Sequence, residues 1–172
     1  MDSTGSSDSS LWYFESPSSF HGNQGIAYGG SLNFTLGAFS GDFSKQNGDN
    51  TNMVELECSE CPGPVSKGVT LAFPISASDM GKAFNGDATT FTIPLLEGKG
   101  WIKDSQNSLT PWTAATKCDV IQVLSRLSGM RILGDWTTWY ESVALDDVKI
   151  YNTKGQLPLC AMTMNDASIC TC

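Results

Sequence analysis

The chain has 172 residues, 40% hydrophobic and only 16% charged, and its 18 acidic and 10 basic residues leave a net charge of −8. That is enough chain for one domain with a sizeable core, and the 40% hydrophobic content argues against wholesale disorder. An acidic chain with no basic run is a poor partner for nucleic acid, no apolar stretch approaches the roughly 18 residues of a membrane span, and a single histidine leaves little room for histidine-based metal or triad chemistry.

Residues 1–10 (M-D-S-T-G-S-S-D-S-S) read as a flexible Ser-rich segment. Strand character begins at Leu11-Trp12-Tyr13-Phe14, followed by a turn-rich stretch containing Pro17, His21 and Gly22. Residues 31–39 alternate, with Leu32, Phe34 and Leu36 on one face and Asn33 and Thr35 on the other, the mark of a half-buried strand. Residues 40–52 read as loop, and 53–57 and 68–76 as a hairpin closed by a Pro62-Gly63-Pro64 turn. Residues 81–88 read as a turn, 89–95 as another strand and 96–115 as irregular chain. Residues 116–127 carry the only helical stripe (Val120, Ile121, Val123, Leu124, Leu127), with Thr116 and Asp119 spaced as a capping box and Gly129 as its stop. Residues 130–136 and 143–151 are two more strands, and 152–172 is a Cys-containing tail. Strands joined by turns, with one short helix, make an all-β antiparallel sandwich the expected fold, with a barrel as the alternative.

The segment from Trp112 to Ile150 resembles the C-terminal half of a laminin IV type A (laminin B) domain. The residues that carry the resemblance are Asp119, Val123-Leu124-Ser125, Leu127, Arg131-Ile132, Gly134-Asp135-Trp136 and Leu145-Asp146-Asp147-Val148. Looser matches are Trp12-Tyr13-Phe14, Pro17, Phe20, Gly22, Gln24, Tyr28-Gly29, Val54-Glu55-Leu56, Gly68-Val69-Thr70-Leu71 and Trp101, so that it covers residues 11–151. Asn23 stands where the family usually has an acidic residue and Asp147 where Asn is common, while Cys58-x-x-Cys61 and Cys118 are not family features. The resemblance implies a jelly-roll β-sandwich like those of carbohydrate-binding modules, in a secreted or cell-surface protein, with a structural role and no catalytic activity. The closing Cys170-Thr171-Cys172 resembles the start of an EGF-like module.

Several residues are candidates for chemistry. Asp146 shares strand parity with Val148 and Ile150, so a core-facing Val148 would bring its carboxylate inward. Such a group needs either a structural calcium ion, with Asn23 as a second ligand, or hydrogen bonds from backbone amides at a strand edge. No other cofactor is expected. Trp139 and Tyr140, in a polar loop, and Trp112 and Trp101 are candidate glycan-stacking rings, with core packing as the alternative. Asn33-Phe34-Thr35 is an N-glycosylation sequon.

The six cysteines (58, 61, 118, 160, 170 and 172) suit disulfides in an oxidising compartment. Cys58–Cys61 is expected as a local bridge, Cys160 can close on Cys170 or Cys172, and Cys118 takes the remaining partner or pairs between chains. Glu15, Glu55, Glu57 and Asp135 show no spacing that recommends a catalytic pair, so no enzyme is expected. Met1-Asp2-Ser3 lacks the basic and apolar regions of a secretion signal, so a secreted protein would carry this sequence as a processed form or fragment. The function expected is a non-enzymatic extracellular structural or adhesion module of the matrix or cell surface, with extracellular protein or glycan partners. Its alternatives are a carbohydrate-binding module and a self-assembling subunit of an extracellular polymer.

Overall fold

The computed structural model describes residues 11–45, 51–62, 68–104 and 111–152. Nine strands occur in the order β1 (Tyr13–Glu15), β2 (Ser31–Ser40), β3 (Thr51–Cys58), β4 (Val69–Ile75), β5 (Thr89–Pro94), β6 (Ile102–Lys103), β7 (Thr113–Ala114), β8 (Gly129–Leu133) and β9 (Ser142–Tyr151). Helix α1 (Ala77–Ala83) follows β4 and helix α2 (Lys117–Ser125) precedes β8. One sheet has the order β1-β8-β3-β4-β6-β7 and the other β5-β2-β9, and every pairing is antiparallel. The expected sandwich is therefore the fold.

Alternation explains how the sheets face each other. Leu32, Phe34 and Leu36 of β2 are buried, as are Phe91 and Ile93 of β5, and they join one core with Val54, Leu56, Leu71 and Ile132 of the larger sheet. Each such side chain contributes roughly 1.5–3 kcal/mol through removal from water. β3 and β4 form the expected hairpin, from Thr51↔Ile75 to Cys58↔Val69. Gly68 closes it with φ 81°, where a Cβ would collide with the Cys58 carbonyl.

Helix α2 starts where the sequence indicates. The Thr116 side chain accepts the Asp119 amide at 3.3 Å, and the Thr116 amide donates to Asp119 Oδ2 at 2.9 Å. Asp119 also meets Lys103 Nζ at 2.6 Å. Burial pushes the Asp119 carboxyl up, but Lys103 and the Thr116 hydroxyl and amide outweigh it and hold it below its ordinary range.

Two parts of the sequence reading need correction. Helix α1 occupies part of what reads as turn. It has only seven residues and is pinned by Met80 and the following Phe84, both buried, so there is no stripe to recognise. The irregular 96–115 stretch contributes two short strands, with Ile102↔Ala114 pairing β6 to β7.

A third correction concerns β9. Asn33 pairs with Lys149, but Thr35 pairs with Asp146, so two residues of β9 oppose one of β2. The extra residue is Asp147, with φ 54°. The bulge reverses the inward parity. Val143 and Leu145 pack on the core before it and Val148 and Ile150 after it, while Asp146 and Asp147 are exposed. Asp and Asn are the non-glycine residues that best tolerate this left-handed conformation. Asp147→Gly is therefore expected to be near neutral and Asp147→Val to cost about 1–2 kcal/mol in urea unfolding. Equal stability of the two variants would contradict the strained geometry.

The described chain enters at the end of the sandwich where β8 finishes, since Gly134 N donates to the Trp12 carbonyl at 3.0 Å. It reaches Tyr151 at the opposite end, where β9 pairs with Ser31. Ten strand residues separate those ends by roughly 30 Å.

Candidate functional site

The loop 134–141 joins β8 to β9 and so links the two sheets. Gly134 is required at its start, because a Cβ there would overlap the Trp12 ring. Trp136 is fully buried against Phe84 (ring centroids 5.2 Å apart) and Phe91 (6.0 Å), and its Nε1 donates to the Leu133 carbonyl at 3.2 Å. Thr137 is also buried and its hydroxyl donates to the Trp139 carbonyl at 3.0 Å. Thr138 N donates to the Lys45 carbonyl at 2.9 Å, tying the loop to the turn after β2. These internal bonds leave Trp139 77% and Tyr140 56% exposed. Phe39, 84% exposed, lies at the register shift between Ala38↔Val143 and Ser40↔Ser142, beside the start of β9.

Glu141 closes the loop. Its Oε1 accepts the Trp136 amide at 2.7 Å, and its Oε2 is buried with no hydrogen-bond partner. Burial, together with the neighbouring Asp135 carboxylate, outweighs the Trp136 amide and the Thr137 hydroxyl and pushes Glu141 up to about 7. A carboxyl raised in the folded state contributes stability that is complete below its ordinary value near 4.5 and is lost as pH rises through about 7. The protein is therefore expected to melt about 5 °C lower at pH 8.5 than at pH 5.5, for about 1–2 kcal/mol after solvent screening. Glu141→Gln is expected to flatten that slope, and an unchanged slope would reject the assignment. Asp119, held low, loses its contribution only as pH falls through the acid range, so the two windows are separate.

The structure distributes the other candidate residues as follows. Asp146 faces solvent and its Oδ1 accepts the Asp147 amide at 2.7 Å, so the core-facing carboxylate that argued for calcium does not exist. Asn23 is exposed and its Oδ1 accepts the Gly25 amide at 3.0 Å. Each is engaged in its own turn on a separate element. Among the described residues no group of three or more His, Cys, Asp or Glu is placed to hold a metal ion.

Trp101 is 2% exposed and donates to the Pro94 carbonyl at 2.7 Å, so it is a core ring rather than a glycan platform. Trp112 is half-buried. Asn33 sits mid-strand between Thr92 and Lys149, with its Oδ1 buried and without a hydrogen-bond partner. Glu15 and Glu55 flank Arg131 across three strands, and Arg131 pairs with Glu55 at 3.0 Å.

Cys58 and Cys61 form the expected bridge. Cys118 is also disulfide-bonded. Cys160, Cys170 and Cys172, the expected cysteines of the tail, lie with residues 1–10 outside the described residues.

Phe39 and Glu141 were not singled out from the sequence. The signal was present in the outward parity of Phe39 with Thr35 and in two acids six residues apart around Trp136 and Trp139.

A two-sheet antiparallel sandwich with a capped helix and oxidised cysteines is the architecture of a disulfide-containing β module. The chain belongs to the Laminin B (Domain IV) family, whose model it matches over residues 13–158. Its fold is similar to the L4b domain of human laminin alpha-2, with TM-score 0.63 and 17% identity over 80% of this chain and 68% of that one. No curated protein matches the sequence. Family membership supports an extracellular matrix-type module.

Proposed function

We propose that this chain is a non-enzymatic structural module of an extracellular assembly, with an adhesive, contact-making role. The observation that carries the reading is the oxidised state of all three described cysteines, Cys58, Cys61 and Cys118, in a Laminin B fold. Such bridges persist in oxidising compartments and are rare where glutathione keeps thiols reduced. Of the carboxylates weighed for hydrolysis, Glu55 is ion-paired with Arg131.

The test is to treat the native protein, in its source material, with a maleimide before and after reduction. Cys58, Cys61 and Cys118 are expected to be labelled only after reduction, in the extracellular or matrix fraction. Labelling before reduction, or recovery from the cytosol, would overturn the proposal.

A further inference from the structure

Asn33-Phe34-Thr35 is the one N-x-Ser/Thr sequon in the sequence. It lies on β2, the middle strand of the smaller sheet. Leu32, Phe34 and Leu36 are buried, so alternation turns Asn33 and Thr35 to the outer face of that sheet. The register sets Thr92 of β5 on one side of Asn33 and Lys149 of β9 on the other, both exposed. The Thr35 and Thr90 hydroxyls share a hydrogen bond at 2.9 Å. Lys149 holds its ammonium against Asp147 on its own strand.

One ring stands on the same face. Tyr151 pairs with Ser31, two residues before Asn33, and is 44% exposed. Its neighbour Ile150 packs on the core, so Tyr151 turns outward. Diagonal neighbours of this kind stand about 7–8 Å apart, within reach of an aromatic side chain. The sheet itself gains little from asparagine at position 33. Asn is disfavoured in strands, and here its Oδ1 is buried without a hydrogen-bond partner. Valine would fill the strand position without stranding an acceptor.

We propose that Asn33 carries an N-linked glycan, attached before β2 joins its sheet, whose first sugar packs on Tyr151. This rests on the extracellular reading and names a modification of the module. The Asn33 amide nitrogen Nδ2 bonds to the anomeric carbon of an N-acetylhexosamine supplied on a polyprenyl diphosphate. The carbon–oxygen bond to the diphosphate breaks, the diphosphate leaves with the electron pair, and the displaced Nδ2 proton passes to solvent. Burial sets the order of events. Phe34, the middle residue of the sequon, is fully buried, and β2 is hydrogen-bonded on both sides, so the folded segment offers a transferase no grip. Once attached, the sugar lays an apolar face on the Tyr151 ring, and the glycan covers the outer face of the smaller sheet.

The test begins with the native protein from its source material. The tryptic peptide ending at Lys45 is expected to carry the added mass of an oligosaccharide, released by peptide-N-glycosidase. In the full chain secreted from a eukaryotic host, Asn33→Gln and Thr35→Val are each expected to abolish the added mass, and Thr35→Ser to keep it. The melting curve of each variant shows whether it is folded. The unfolded chain, offered to the transferase with its lipid-linked oligosaccharide, is expected to be modified severalfold faster than the folded chain. Tetranitromethane is expected to nitrate Tyr151 severalfold more slowly in the glycosylated chain than in Asn33→Gln. Tyr140, beyond the opposite end of β9, serves as the unchanged control. A bare Asn33 in the native protein would overturn the proposal, as would equal modification of folded and unfolded chain or equal nitration of Tyr151. The maleimide result is independent of these outcomes. Oxidised cysteines with a bare Asn33 reject the glycan alone, whereas free thiols reject the extracellular reading.

Discussion

Replacing Trp136 by alanine is expected to remove about 3–5 kcal/mol of stability. Domains of this kind have only about 5–15 kcal/mol to lose. Trp136 is completely buried, stacks on Phe91, meets Phe84 edge-on and satisfies the Leu133 carbonyl through its indole nitrogen. Alanine leaves a cavity between the sheets, and the carbonyl loses its partner. Trp136→Phe keeps most of the ring volume and loses the hydrogen bond, so it is expected to cost less than half as much. Equilibrium unfolding in urea measures both. A loss under about 1.5 kcal/mol for the alanine variant would show that the site collapses around the gap. The same residue anchors the loop that displays Trp139 and Tyr140, so the alanine variant is also expected to loosen that corner, visible as faster amide exchange in residues 134–141.

Cys118→Ser is expected to cost about 4 kcal/mol. Cys118 is disulfide-bonded, and the three remaining cysteines of the sequence lie 42 to 54 residues further along the chain, so the expectation is a bridge to one of them. Closing a loop of that length restricts the unfolded chain strongly, whereas Cys58–Cys61, three residues apart, restricts it little. Trypsin cuts after Lys117, Arg126 and Lys154, so a non-reducing digest is expected to contain peptide 118–126 joined to peptide 155–172. Recovery of peptide 118–126 alone and unmodified without reduction would show that the bridge is absent. The bridge would then be no source of stability.

How much was legible depended on how many residues repeat a signal. β2 declares itself through three alternating apolar residues, and α2 through a stripe plus the Thr116–Asp119 cap. Both stand where the pattern puts them. The seven residues of α1 offer two anchors and a Gly81 that reads as turn. The bulge at Asp147 carries no periodic signal, and one inserted residue reversed the facing of everything upstream of it on β9. That single shift moved Asp146 from the expected core face to solvent and removed the physical case for a calcium ion there. The loop site was half legible. The exposure of Trp139 and Tyr140 follows from their polar neighbours, but the role of Glu141 depends on a buried oxygen and a fold-back to the Trp136 amide, which no local spacing announces.

The same bulge bears on how copies of this domain can meet. Among the described residues β9 hydrogen-bonds only to β2, so its other side is a ten-residue border of the smaller sheet. A long straight border invites a strand from another molecule to extend the sheet, which is the opening step of fibrous aggregation. Here the kink at Asp147 divides the border into two short runs, and Asp146, Asp147 and Lys149 put charge along it. An incoming strand would lose register halfway and meet ionised side chains. Any ordered multimer of this domain is therefore expected to be joined by side-chain contacts or by cysteines, and not by sheets running continuously from one copy into the next.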